Sequence, residues 1–123
     1  IENVEDALKL ACEKTAATIS DYTVGPIFMK GKEKGGHEWI IEFIEKPASL
    51  NYFSEALDNA LKSINSDYEA KRYLNITLMA PKLHQAKQGL FYSWLKKKNK
   101  LGGQHKVPRL SNSREFLEEL IDL

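Results

Sequence analysis

Residues 37–45 read HEWIIEFIE, and their alternation sets the fold class. Trp39, Ile41 and Phe43 fall on one side of an extended chain and Ile40, Glu42 and Ile44 on the other. This is the two-residue period of a β-strand with one strongly apolar face. Such a face has to be covered by another element. Past Lys46-Pro47, Leu50, Phe53, Leu57, Ala60, Leu61 and Ile64 recur at helical spacing, while Glu55, Asp58 and Lys62 fall away from the stripe. That pattern predicts the clearest helix in the chain, ready to cover the strand. On the other side, residues 18–29 mix β-branched and aromatic residues and are interrupted by Gly25-Pro26, the mark of an edge strand or a bend. With GKEKGG (31–36) as the intervening loop, the two strands form a hairpin.

Farther out, Asn3 reads as an N-cap with Asp6 three residues on, and Val4, Ala7, Leu8, Ala11 and Thr15 predict a helix over 4–16. Downstream, 65–73 reads as a polar turn and Ile76, Thr77, Leu78 and Met79 as a short third strand stopped by Pro81. Leu90, Phe91, Trp94 and Leu95 predict a helix with the lysines of 96–100 facing outward and Gly102-Gly103 as its C-cap. Asn112 and Glu115 suggest a capping box before a terminal helix carrying Phe116, Leu117, Leu120 and Ile121. The order helix, hairpin, helix, strand, helix, loop, helix predicts an α+β fold: one domain over 1–123, with helices packed on a small three- to four-stranded mixed sheet.

A chain of 123 residues with 42% hydrophobic content suits one core. The single Cys12 forms no internal disulfide and no secretory signal is recognisable, which favours a reducing, cytoplasmic setting. Apolar runs fall short of the roughly 20 residues that cross a bilayer, so no membrane role is expected. The start at Ile1, directly against a helix, hints at a segment upstream. The formal net charge of +1 conceals a segregation: residues 70–114 contain no Asp or Glu but carry 11 of the 18 Lys and Arg side chains. Folded onto one side, that segment would attract phosphate, carboxylate or polynucleotide; otherwise it is a solvated basic face.

Catalytic groups are sparse. Cys12 lies on the apolar side of the first helix, as a buried small residue would. His37, His84 and His105 are scattered, with no partner at metal-ligand spacing, so no metal site is expected. Glu42 and Glu45 read as solvent-facing strand residues rather than an acid–base pair. No GxxxxGK[ST] or GxGxxG loop is present. What remains is GGQHKVPR (102–109), a glycine-led basic loop. Its Lys106 suits a point contact with an anionic oxygen and its Arg109 a bidentate grip. The alternative is a helix-to-helix linker whose cations cap carbonyls.

Around this loop the sequence resembles the acyl acid amido synthetases of the auxin-responsive Gretchen Hagen family, within the acyl-adenylate-forming superfamily. The likeness rests on ENVEDAL (2–8), NALKSINSDYEAKRY (59–73) and, most specifically, FYSWLKKKNKLGGQHKVPRLSN (91–112). It looks closer to bacterial members, because Leu110 follows the Pro-Arg pair where plant members commonly have Cys. The resemblance implies the C-terminal domain of an enzyme that makes an acyl adenylate from ATP and a carboxylic acid, then passes the acyl group to an amine, typically an amino acid. It implies ATP with Mg2+ as ligands of the complete enzyme, none bound by this domain alone, and a large N-terminal adenylating domain as partner. By the same resemblance, Lys106 contacts the carboxylate and phosphate oxygens, Arg109 supports the phosphate or the domain contact, and Gln104 and His105 orient the loop behind Gly102 and Gly103. The isolated domain would be catalytically silent.

Two other readings stay open. A nucleic-acid-binding module would use the basic segment with Tyr73, Phe91, Tyr92 and Trp94 interleaved, although Phe91, Trp94 and Leu95 stand at core spacing. A protein-interaction domain would have kept the fold without the chemistry.

Overall fold

The computed structural model describes residues 3–29, 34–98, 109–110 and 113–122. Within them the elements run α1 (Val4–Thr15), β1 (Thr18–Ile27), β2 (Gly36–Glu45), α2 (Leu50–Ile64), α3 (Ser66–Arg72), β3 (Lys82–Gln85), α4 (Leu90–Lys97) and α5 (Glu115–Ile121). The three strands form one mixed sheet in the order β1-β2-β3, with β1 antiparallel and β3 parallel to β2. The α+β expectation with a small mixed sheet holds.

The HEWIIEFIE strand lies in the middle, and both its faces are covered. Trp39, Ile41 and Phe43 join a core with Leu8 and Ala11 of α1 and Phe53, Leu57 and Leu61 of α2. Phe43 meets Phe53 edge-to-face, with ring centroids 5.2 Å apart. On the opposite face Ile40 packs with Leu90, Phe91 and Trp94 of α4 and Leu117 and Leu120 of α5. The expectation of one apolar face was therefore half of the answer: a central strand in a layered fold reads as a nearly continuous apolar run. Pro26 sits on the edge strand, where its missing N–H costs no ladder bond. Gly25 is required by a close approach, since a Cβ there would lie 3.3 Å from both Leu117 Cδ2 and the Ser113 carbonyl.

Four local expectations are corrected. Residues 65–73 are mainly helical: Asn65 caps α3 by accepting a hydrogen bond from the Tyr68 N–H at 3.0 Å. Residues 76–79 are not the third strand; they supply an isolated bridge from Leu78 to Gly35, and the strand itself begins after Pro81, at Lys82. Pro81 thus precedes the ladder rather than ending it, where it removes no interstrand donor. Asn3 does bound α1, but in the left-handed conformation (φ 64°) and without a side-chain cap. Asp58 does not leave the apolar stripe of α2 but is buried on it. The proposed caps at Gly102-Gly103 and Asn112, and residues 31–33 of the 31–36 loop, lie outside the described residues.

Candidate functional site

Of the residues in the 102–109 loop, Gly102, Gly103, Gln104, His105 and Lys106 lie outside the described residues; Arg109, at the exit, is described. The exit is fastened to the free edge of β1. The Val24 N–H donates to the Arg109 carbonyl at 2.9 Å, and Leu110 bridges Val24 in parallel. The Arg109 guanidinium, half exposed, donates to Asp21 Oδ1 at 3.2 Å and Glu5 Oε1 at 3.4 Å, and lies 5.2 Å from the centroid of the Tyr22 ring. The Tyr22 hydroxyl donates in turn to Glu5 at 3.1 Å. Burial, reinforced by the Glu5 charge, pushes that phenol up to about 12, so it stays a donor. Beside this cluster α1 and β1 bound an open cavity of about 370 Å3, lined by Glu5, Leu8, Cys12, Ile19, Tyr22 and Arg109. The Cys12 thiol is half buried, and burial raises its pKa, which disfavours the reactive thiolate.

Folding largely neutralises the acid-free segment. Lys71 pairs with Asp67 (3.0 Å), Arg72 with Asp58 (2.6 Å), Lys82 with Glu38 (3.7 Å) and Lys98 with Glu119 (2.5 Å). Arg109 meets Glu5 and Asp21, and Arg114 meets Glu38 and Glu118. Every one of these acids comes from outside 70–114. Among the described residues of the segment, Lys87, Lys96 and Lys97 make no ion pair. Phe91 and Trp94 are core residues, so two of the four aromatics of the nucleic-acid reading offer no face to a base. Glu42 and Glu45 each accept a hydrogen bond from a β1 hydroxyl, Ser20 and Thr18 respectively, and form no acid–base pair.

Two buried carboxylates organise the remaining polar groups. Glu38, 4% exposed, receives Arg114 Nη2 at 2.9 Å and lies 2.5 Å from His84 Nε2. Arg114 also donates to the Pro26 carbonyl at 2.8 Å and so ties the start of α5 to the end of β1. Burial alone would raise the Glu38 pKa, but the His84 and Arg114 hydrogen bonds and the Lys82 charge outweigh it and hold the carboxyl below its ordinary 4.5. A depressed carboxyl contributes stability that is present above its unfolded-state pKa and lost as pH falls through its folded one. The urea midpoint is therefore expected to drop as pH falls below about 4.5. Glu38→Gln should lower it at neutral pH by the equivalent of about 1–3 kcal/mol and flatten that acid slope. An unchanged slope in the variant would contradict the assignment.

The second carboxylate, Asp58 on α2, is gripped by Arg72 at the end of α3, from Nε at 2.8 Å and Nη2 at 2.6 Å, and by the Tyr68 hydroxyl at 2.7 Å. Burial opposes ionisation, but the Arg72 and Tyr68 hydrogen bonds keep Asp58 below the usual carboxylate range. His37 packs near Tyr68, ring centroids 6.4 Å apart, and burial pushes its pKa down to about 4. Sequence reasoning missed both networks. The available signals were an acid beside Leu57 inside an apolar stripe and an acid two residues before Ile40 on a strand buried on both faces. No group of three or more His, Cys, Asp or Glu among the described residues is placed to hold a metal ion, and no described helix is long and apolar enough to cross a membrane.

The GH3 family C-terminal domain model matches residues 2–115. Among solved structures the chain is similar to AtGH3.15 acyl acid amido synthetase in complex with 2,4-DB, at 18% identity and a TM-score of 0.73, covering 97% of this chain and 23% of that one. It is also similar to a GH3.15 acyl acid amido synthetase at 18% identity and a TM-score of 0.72, covering 97% of this chain and 22% of that one. At that identity the likeness concerns the fold, and the chain spans under a quarter of the length of either relative. No curated protein matches the chain.

Proposed function

Because the chain belongs to the GH3 family C-terminal domain, we propose that it is the mobile C-terminal domain of an ATP-dependent acyl acid amido synthetase, a cytoplasmic protein of bacterial type. The complete enzyme adenylates a carboxylic acid and transfers the acyl group to an amino acid. ATP, its Mg2+ and the acid are held by a large N-terminal domain, and this domain contributes Lys106 to the shared site, with Gln104 and His105 orienting the loop behind Gly102 and Gly103. A single ammonium set against charge developing on carboxylate and phosphate oxygens lowers the barrier by electrostatics, provided the closing domain excludes water. The carrying observation is the fastening of the loop exit to β1. The Arg109 backbone and guanidinium are both engaged there, so the loop leaves a fixed point on the sheet edge. Arg109 then serves as the anchor of the loop and of the domain contact.

In the complete enzyme, Lys106→Ala is expected to slow acid-dependent exchange of pyrophosphate into ATP by about 10²-fold, the scale for loss of one preorganised electrostatic donor. Lys97→Ala, on the outer face of α4, should leave exchange within about twofold. Equal effects of the two substitutions would sink the assignment.

A further inference from the structure

Among the described residues, three of the four most exposed apolar side chains lie within one short turn, the fourth being Ile44 near the end of β2. Tyr73, Leu74 and Ile76 are 67%, 71% and 65% exposed. The half-exposed Met29 and Met79 lie at Gly35 and Gly36, the point that Leu78 bridges: a Cβ on Gly35 would lie 3.2 Å from Met29 Cγ, and one on Gly36 3.8 Å from Met79 Cβ. A surface of this kind on a folded domain marks a contact with another macromolecule.

The segment that carries most of it is held in a fixed shape. Leu74 (φ 51°) and Asn75 (φ 55°) are both left-handed. For leucine this conformation costs on the order of 1–2 kcal/mol and persists only where the surroundings impose it. Arg72 is the imposing group. While locked to Asp58, it also donates through Nη1 to the Asn75 side-chain carbonyl and, at 3.1 Å, to the Leu78 carbonyl. Leu78 N–H donates back to the Lys71 carbonyl at 3.0 Å, and Met79 N–H to the Gly35 carbonyl at 2.9 Å. A buried ion pair thus underpins a strained turn whose apolar side chains point away from the core.

Residues 73–81 (YLNITLMAP) contain no charged side chain, which suits an uncharged protein surface better than a polyanion. The turn has a definite place in the fold. The end of β1 at Ile27 lies opposite the start of β2 at Gly36, and the bridge from Gly35 to Leu78 puts the turn at that same end. The chain belongs to a family of C-terminal domains, and the relatives it matches are more than four times its length.

We infer that the Tyr73–Leu74–Ile76 turn, with Met29 and Met79, is the docking surface for the large domain that precedes this one in the complete enzyme. This rests on the reading proposed above. Pre-formed anchors reduce the ordering cost of each docking event, as a domain that closes repeatedly requires.

Hydrogen–deuterium exchange of the complete enzyme, compared with the 123-residue chain, tests it. Amides of 73–79 are expected to exchange at least tenfold more slowly in the complete enzyme. Leu74→Asp should abolish that difference while leaving exchange in α2 unchanged. Equal exchange in the two proteins overturns the inference, even if Lys106-dependent adenylation is intact. Protection without any adenylation would overturn the proposed function and leave the docking surface standing. Concentration-dependent protection in the 123-residue chain, removed by Leu74→Asp, would assign the surface to a second copy instead.

Discussion

Asp58→Ala is expected to destabilise the domain by about 3–5 kcal/mol, the range for breaking a buried ion pair by removing one partner. The cost comes from the arginine left behind. Arg72 is 8% exposed, and without Asp58 its guanidinium keeps only Asn75 and the Leu78 carbonyl as acceptors. Tyr68 loses its acceptor as well. Asp58→Asn keeps the shape and one acceptor but not the charge, so it should recover a minor part of the loss. Asp58→Leu combined with Arg72→Met removes both charges, and should fall well short of the sum of the single effects because no uncompensated ion remains. Urea denaturation with an unchanged m-value measures this series. A loss below about 1 kcal/mol for Asp58→Ala would mean that Arg72 relaxes to solvent and that the pair does not underpin the 73–79 turn.

Trp39→Ala should cost about 3–5 kcal/mol, as large aromatic deletions in well-packed cores do. Trp39 is fully buried at the centre of the middle strand, its ring centroid 6.5 Å from that of Tyr22, between the strand's partners and the α1–α2 layer. The informative companion is Trp39→Phe. Trp39 Nε1 is buried without a hydrogen-bond partner among the described residues. An unsatisfied buried donor carries a desolvation cost of about 1–3 kcal/mol. Phenylalanine removes that donor and opens a smaller cavity than alanine, so the two terms oppose each other, and the net change should be within about 1 kcal/mol of the parent. A phenylalanine variant as unstable as the alanine one would show that indole volume alone decides the position.

The order of the major elements was legible before any coordinates, because alternation in 37–45 and the stripe of 50–64 are local patterns that report which side chains need cover. The errors are local too. Residues 65–73 are polar, and their helix is secured by the Asn65 cap and by Arg72 reaching Asp58, 14 positions earlier. The third strand slipped downstream because 76–79 have strand-forming side chains, whereas the partner that completes the ladder is Lys82–Gln85 along β2. For the site, the resemblance directed attention to 102–109, and the described part, Arg109, lies on β1 against Glu5, Asp21 and Tyr22. None of those contacts has a sequence signature, since Glu5 and Arg109 are 104 positions apart.

The sequence by itself determined the class of fold and, through the family match, the family, because periodicity and motif are properties of neighbouring residues. Only the tertiary structure decided what the charges do. An acid-free run of basic residues resembles an anion-binding face in one dimension. In three dimensions the acids of α1, β1, β2, α2 and α5 converge on it and pair with most of its described cations. Charge neutralisation depends on distance in space, which the order of residues along the chain does not carry.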